Sequence, residues 1–439
     1  MDNNLINQHL LAGEIKPQEV LPHWSYLKSL AYKFRFDFGL DKLPQEPGLI
    51  FVRGPRQYGK STWLEQQIAH TIEEFGPGSA LYLNGDEILN SAHLLDCIRQ
   101  LVPMFNPQAL VKRLFIDEIT AVNQWEKALK RLCDAGELRN ILIITTGSKA
   151  TDLRRGIERL PGRKGKLDRN HYILTPISYR EFKHHCQDAL KGMTLYAYLL
   201  SGGSPIAANA IASNGTLPEY VCTIMSDWIL GEFAASMRTR SHLLAVLQGI
   251  YLFGGTPLGQ AKLARETGLS NNTVAQGYIE LLSDLMCIMP AFPYDNDRKI
   301  SLWRKPCKYH FINLLTAFVW HPKRPRTPIA VKNLAPKDFA IILEWAVAQE
   351  LWRRLCRDDA AGLPLNFNFW QSKTHEIDFV YQNNTISRYI EVKKGSLSPL
   401  NFSWFLKTHP QQNLDVINAN RFCTARINGK TLEDFLLEE

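Results

Sequence analysis

Between Gly48 and Thr175, short apolar runs alternate with longer stretches in which apolar residues return every three or four positions. The short runs are GLIFV, ALYLN, RLFID, NILIITT and HYILT. Unbroken runs of this length, rich in branched and aromatic side chains, predict strands buried on both faces; the stretches between them predict helices covering a parallel sheet. One of those helices is NQWEKALKRLCDAG, with Gly136 as its stop. Residues 1–46 read as one or two leading helices that carry the aromatic and basic stretch HWSYLKSLAYKFRF. Residues 186–237 read as mostly helical, interrupted by SGGSP at 201–205, a segment expected to form a lid over a ligand of the sheet.

The pattern changes after residue 237. TPLGQAKLARETGLSNNTVAQGYIELLSDLMCIMPAF reads as a helix, a tight turn at Gly268 and a second helix capped by Ser270. PYDNDRKISLW then supplies a β-wing, so residues 238–300 have the spacing of a winged helix-turn-helix. Its second helix offers Asn271, Asn272, Thr273 and Gln276 to a major groove, although such a module also serves simply to pack against neighbouring domains. HPKRPRTP at 321–328 reads as a solvated linker or loop.

Alternation returns near the end of the chain. HEIDFV and SRYIEVKK read as two strands turning around Asn383 and Asn384, which puts Glu391 and Lys393 on one face and Asp378 across from them. In the preceding helix, FAIILEWAVAQELWRRL, Glu344 shares a face with Ile341, Ala348 and Leu351, and a carboxylate there requires a partner. Glu350 has Arg354 four residues on and reads as a surface ion pair.

The chemistry begins in the loop after the first strand. GPRQYGKST fits the spacing G-x-x-x-x-G-K-[ST], in which glycines let backbone N–H groups converge on phosphates and the next helix adds its positive end. The expected nucleotide contacts are Gly54, Pro55, Arg56, Gln57, Tyr58, Gly59, Lys60, Ser61 and Thr62, with ATP as the ligand. Lys60 would sit on the β- and γ-phosphates and Ser61 would help to coordinate Mg²⁺. Arg56 reads equally as a sensor or a salt-bridge partner. RLFIDEI ends in the acid pair needed beside such a loop: Asp117 for the metal and Glu118 as general base. Of the hydroxyls Thr145, Thr146 and Ser148 that close the next strand, Ser148 is the candidate for the γ-phosphate or the attacking water. Eight basic residues stand against three acidic ones from Lys149 to Arg169; among them Arg163 is either a trigger arginine, within the chain or toward a neighbour, or part of a basic surface loop.

RGPRQYGKST, FIDEITAVNQWEKALK, ITTGSKA, LPGR and ILTPISYREF together resemble a prokaryotic AAA-type ATPase family. In that family the ATPase core precedes a winged helix and a C-terminal nuclease-like domain long described as of unknown function. The resemblance covers nearly the whole chain from about residue 47. It implies nucleotide binding by Lys60, Ser61, Asp117 and Glu118. One departure is Asn313 in KYHFINLL, where relatives commonly carry an acid.

The C-terminal set has the arrangement of PD-(D/E)XK nucleases: Asp378 and Glu391 to hold a second divalent metal, joined by Glu344, with Lys393 to orient or deprotonate water. An apolar-Glu-apolar-Lys strand is also common as a plain solvated face, and domains of this shape bind as well as cut.

The expected architecture is therefore α/β throughout. Residues 1–46 form a helical segment, 47–185 a P-loop AAA-type ATPase core, 186–237 a helical lid, 238–300 a winged helix-turn-helix and 301–439 a PD-(D/E)XK nuclease-like domain. A formal charge of +8 over 439 residues suits DNA as a partner without requiring it. The eight cysteines contain no C-x-x-C pair, which argues for a reducing cytosol, and no apolar run approaches the length of a membrane span. A homo-oligomer or a protein partner is left open. So is the alternative that the chain is a nucleotide-driven switch whose C-terminal half is an inactive scaffold.

Overall fold

The computed structural model describes residues 2–438 except 17–18, 148–152, 154–155, 157, 161, 164, 359–366 and 384–385. The chain divides into two compact units, Met1–Thr175 with Arg354–Leu363, and Pro176–Arg353 with Pro364–Glu439.

The first unit is built on the five expected strands, β1 (Gly48–Arg53), β2 (Ala80–Asn84), β3 (Arg113–Asp117), β4 (Leu142–Thr146) and β5 (His171–Ile173). They form one sheet in the order β2-β3-β4-β1-β5, with every neighbouring pair parallel. The neighbours β1 and β4 send their connections in opposite directions, β1 to β2 and β4 to β5, and ligands bind at such a switch point in open sheets of this kind. Leu49, Phe51, Leu83 and Ile116 pack on one face against Leu94, Ile98, Trp125 and Leu129 from the helices Ser91–Leu101 and Trp125–Asp134. The second of these helices ends one residue before Ala135, and Gly136 follows at φ 72°.

Two leading helices are present, Asn3–Ala12 and Pro22–Ser29. The first closes the free edge of β2. Asn7 donates to Tyr82 O at 2.7 Å and accepts from Tyr82 N at 2.8 Å, and Asn84 N donates to Asn3 Oδ1 at 2.7 Å. These side-chain amides take the place of a neighbouring strand and leave fewer unpaired edge groups.

The second unit opens with the helices Tyr179–Cys186, Thr194–Ser201, Pro205–Asn214 and Glu219–Ala235. SGGSP makes the break between two of them, with Gly202 at φ 57° and its missing Cβ 2.2 Å from Leu315 N. The segment expected as a lid belongs to this unit. Helices Arg240–Leu252, Gln260–Glu266 and Asn272–Asp284 follow. The turn before the last of them uses Gly268 at φ 68°, and its cap is Asn271, whose side chain accepts from Val274 N at 2.9 Å. The cap therefore falls one residue later than Ser270, because Asn271 has the extended backbone of a capping residue.

A strand hairpin comes next, β6 (Ile288–Asp295) with β7 (Ile300–Ser301). β6 also pairs with β8 (Lys308–Phe311), antiparallel, and with β9 (Phe367–Gln371), parallel. Through β9 it joins β10 (Glu376–Asn383), β11 (Ile386–Val392), β12 (Leu414–Ile417), β14 (Ile427–Lys430) and β13 (Phe422–Cys423) in one nine-stranded sheet. The boundary expected at residue 300 thus falls inside a continuous sheet. The expected loop at 321–328 is a short connection between the helices Leu314–Val319 and Pro328–Lys332, held by Leu217 N donating to Arg326 O at 2.7 Å. Asn313 is fully buried and caps the first of these helices, accepting from Thr316 N at 3.1 Å.

Glu350 is not on the surface. It is 1 % exposed and takes both Nε and Nη2 of Arg353, at 3.0 and 2.9 Å, within the helix Pro336–Asp358. Its neighbours Trp345, Val347 and Leu351 are buried as well, so almost every face of this stretch of helix is covered. Among the described residues no helix is long and apolar enough to cross a membrane, and none of the eight cysteines is in a disulfide.

Candidate functional site

The glycine-rich loop leaves the carboxyl end of β1 and runs into the 16-residue helix Lys60–Phe75. Gly59 caps that helix at φ 93°, and a Cβ there would meet the Phe36 ring at 2.7 Å. Gly54 is confined for a different reason: a Cβ would lie 2.6 Å from Leu174 O in the strand-end segment alongside. Pro55 and Tyr58 are buried, Arg56 and Gln57 exposed, and Gln57 adopts φ 64°. Ser61 and Thr62 lie half-buried in the first helical turn, where backbone N–H groups have no helical partner.

Lys60 is buried, with its ammonium donating to Gly54 O and Pro55 O at 3.0 Å each. The lysine is thus folded back on the loop's own carbonyls. Burial brings its pKa down to about 8, against the pull of Glu118 and Asp117.

β3 delivers Asp117 and Glu118 to the same edge of the sheet. Asp117 is buried, and its Oδ1 accepts from the Glu118 N–H at 3.0 Å and from the Thr146 hydroxyl at the end of β4. Glu118 takes a left-handed backbone, φ 49° and ψ 40°, unusual for a residue with a side chain and common at functional sites. A Cβ at Gly85 would approach Glu118 O to 2.3 Å, so glycine there lets the turn form. Glu65, five residues after Lys60, anchors the second leading helix by accepting from Trp24 N at 2.8 Å and pairing with His23 Nδ1 at 2.6 Å. Sequence reading missed this anchor.

Two further residues were expected here. Ser148 lies outside the described residues. Arg163 pairs with Asp134 through Nε and Nη2 at 2.9 and 3.0 Å. Asp134 closes the helix that returns toward the amino end of β4, so within the chain Arg163 does not reach the phosphate loop.

The second unit gathers the C-terminal residues. The register of β10 and β11 sets Asp378 opposite Glu391, next to a bulge between Ile377 and Val380. Asp378 N donates to Glu391 Oε2 at 3.2 Å, and Asp378 Oδ2 accepts from Val392 N at 2.9 Å. Lys393 Nζ lies 2.7 Å from Glu391 and 3.5 Å from Asp378. Glu344 joins them from the helix.

Three residues were not foreseen. Lys308 on β8 is fully buried, and its ammonium lies 2.5 Å from Glu376, 2.9 Å from Asp378 and 3.4 Å from Glu344. His310, two residues on, is also fully buried; neither ring nitrogen has a hydrogen-bond partner, and Nδ1 lies 3.6 Å from Glu344 Oε1. The signal was present in KYHF and HEID, where Lys308 with His310 and Glu376 with Asp378 each stand two apart on a strand and so share a face.

The charges settle unequally. Burial works against the Lys308 ammonium, but Asp378, Glu344 and Glu376 outweigh it and hold its pKa well above the ordinary value. Burial would raise Asp378, yet Lys308 and Lys393 keep it below the usual carboxylate range. Burial, joined by the Asp378 charge, lifts Glu391 to about 8, and burial lifts Glu344 to about 7 despite Lys308. Burial and the Lys308 charge bring His310 down to about 3, so it is a neutral imidazole. Among the described residues no group of three or more His, Cys, Asp or Glu is arranged to hold a metal ion.

A parallel sheet in the order β2-β3-β4-β1-β5, a glycine-rich loop after β1 and an acid pair after β3 give the first unit the arrangement of a P-loop core. Residues 46–183 match the family model of an AAA domain. Two uncharacterized proteins of Methanocaldococcus jannaschii are similar. MJ1637 is 28% identical over 187 residues, 40% of this chain and 37% of the relative, and MJ1544 is 31% identical over 150 residues, 33% and 30%. The chain thus spans about a third of the length of the curated relatives it matches. Among solved structures, the Walker-type ATPase PABY2304 of Pyrococcus abyssi aligns with TM-score 0.44 at 15% identity, over 70% of this chain and 96% of that one. The Aeropyrum pernix ORC1 protein in complex with DNA aligns with TM-score 0.33 at 12% identity, over 72% and 95%.

Proposed function

We propose that the chain binds and hydrolyses ATP on its AAA-type core and uses the nucleotide state to control how its second unit engages DNA. The observation that carries the first half is the convergence of Lys60, Asp117 and Glu118 at one edge of the sheet. The donor set fits Mg²⁺ bound with a nucleotide. Asp117 Oδ1 already takes two hydrogen bonds, and Oδ2 takes neither of them. Ser61 stands in the first turn of the helix with its hydroxyl beside the phosphate loop's lysine in sequence. Ser61 and Asp117 would hold the ion, which when bound would neutralise charge on the phosphates. Lys60 would move from the loop carbonyls to the phosphates, and Glu118 would take the proton of the attacking water.

The DNA half rests on residues 238–300, read as a winged helix, and on 301–439, read as a nuclease-like domain. Asn272, Thr273 and Gln276 are exposed on the amino-terminal half of the helix Asn272–Asp284, although Gln276 donates to Glu280 at 2.6 Å. Asn271 is exposed too, but its side chain is engaged as the cap. The hairpin turn carries exposed Arg298 and Lys299, and Arg304, Lys305 and Trp303 follow, also exposed. Cations and an aromatic on a hairpin are suited to phosphates and sugars, while the helix is suited to base edges.

The test is binding of a fluorescent duplex by anisotropy across a salt series, with and without ATP. The expected result is affinity that falls with salt and differs between the two nucleotide states. Lys299→Glu should weaken binding and lower the slope of log affinity against log salt by about 0.9 for each phosphate no longer neutralised. No binding at low salt in either nucleotide state would remove the DNA half of the proposal. A second reading then takes its place, a nucleotide-driven switch whose C-terminal domain holds a protein partner. The observation that favours it is the lysine buried among the C-terminal carboxylates.

A further inference from the structure

We propose that Lys308 is a built-in cation that stands where a divalent metal would sit in a PD-(D/E)XK-like site, so the C-terminal carboxylate cluster neither takes a metal nor cleaves DNA. The inference does not depend on nucleotide or DNA binding.

Four carboxylates meet in this cluster, Glu344 from the helix, Glu376 and Asp378 from β10 and Glu391 from β11. Buried carboxylates brought together without a counter-cation repel one another and lack hydrogen-bond donors. An ammonium has three donors and no acceptor, and Lys308 faces three carboxylates at 2.5, 2.9 and 3.4 Å. Its donors are matched one to one. A Mg²⁺ ion needs oxygens converging on one point at about 2.0–2.1 Å. Nζ instead occupies the space between Glu344, Glu376 and Asp378, and Glu391 is turned to Lys393.

The lysine is also fixed in place. It sits on a strand paired with β6, opposite Ala291, and its side chain is only 1 % exposed. The ammonium lies 5.5 Å from the centre of the Phe369 ring. Withdrawing it would put a bare ammonium into the apolar surroundings of a strand buried at all four positions. Lys393 differs. It is 44 % exposed at the edge of the cluster, in the place of the lysine that orients water in metal-dependent nucleases. The site therefore keeps the outline of a nuclease centre while its metal position is closed.

The test is Mn²⁺ binding to the nucleotide-free full chain, followed by electron paramagnetic resonance. Mn²⁺ is added to the wild type, Asp378→Asn, Lys308→Met and the double variant Lys308→Met/Asp378→Asn, with folding checked by circular dichroism. The expected result is no Mn²⁺ binding in the wild type that Asp378→Asn removes. Lys308→Met should gain a stoichiometric site, lost again in the double variant, because its carboxylates and neutral His310 then surround a vacant place. Mn²⁺ bound by the wild type and released by Asp378→Asn overturns the proposal. So does a folded Lys308→Met chain that binds none, since the lysine would then not be what excludes the ion. If Lys308→Met does not fold, Lys308→Met/Glu376→Gln removes one charge of each sign and carries the same two outcomes.

Discussion

The hydroxyl of Thr146, at the end of β4, donates to Oδ1 of Asp117, at the end of β3. Neighbouring strands thus fix the carboxylate before any nucleotide arrives. Groups that orient a metal-holding carboxylate typically change metal affinity or activity by about 10- to 100-fold when removed. Thr146→Val should therefore raise the Mg²⁺ concentration needed for half-maximal ATP hydrolysis by about that factor, while Thr146→Ser restores it. An unchanged Mg²⁺ titration in the valine variant would show that the sheet alone positions Asp117.

Lys60 gives the nucleotide site a dependence on pH. Its folded value of about 8 lies below that of a free lysine near 10.4, because burial disfavours the charge. A polyphosphate binds the charged form. Affinity should be full below pH 8 and fall as the pH rises through it, about tenfold between pH 7 and pH 9, or roughly 1.4 kcal/mol. A fluorescent ATP analogue titrated at both values measures this. Equal affinities would mean that the ammonium stays charged throughout, held by Asp117 and Glu118.

Glu118 and Lys60 divide binding from turnover. Glu118 emerges past the end of the strand on a left-handed backbone, whereas Lys60 opens the helix after the loop and folds back on the loop's carbonyls. Glu118→Gln should keep ATP bound while hydrolysis falls by about 10²- to 10⁴-fold, the usual worth of a general base. Lys60→Ala should lose binding. Phosphate release together with retention of labelled ATP separates the two, and normal turnover in the glutamine variant would move the base to another residue.

How far this chain could be read in advance followed the physics of each part. The strands β1 to β4 of the first sheet were legible because both their faces are largely buried, which leaves an unbroken apolar run for each. Asp378, Glu391 and Lys393 were legible as a set because residues two apart on a strand share a face and a hairpin brings its strands together. Lys308 was not, because β8 reaches β10 only through β6 and β9, a pairing that no local pattern records. Glu350 was misread because spacing along a helix reveals a neighbour but not what covers it. The short range of a turn also hid which of Ser270 and Asn271 would cap the helix, since both are capping residues by type.

Glu350 and Arg353 form a buried pair whose removal should be felt in stability rather than in activity. Both are less than 5 % exposed, and two parallel hydrogen bonds join them. Removing one partner strips the other of two charge-assisted hydrogen bonds inside the fold, where breaking a buried pair costs up to about 3–5 kcal/mol. Arg353→Met should therefore lower the urea midpoint markedly. Replacing both partners removes the carboxylate that lost those two bonds as well, so Glu350→Leu/Arg353→Met should recover part of the loss. If the double variant is no more stable than Arg353→Met, the arginine acts through neighbours other than Glu350, and the pair is not the unit that holds this helix in the sheet's cover.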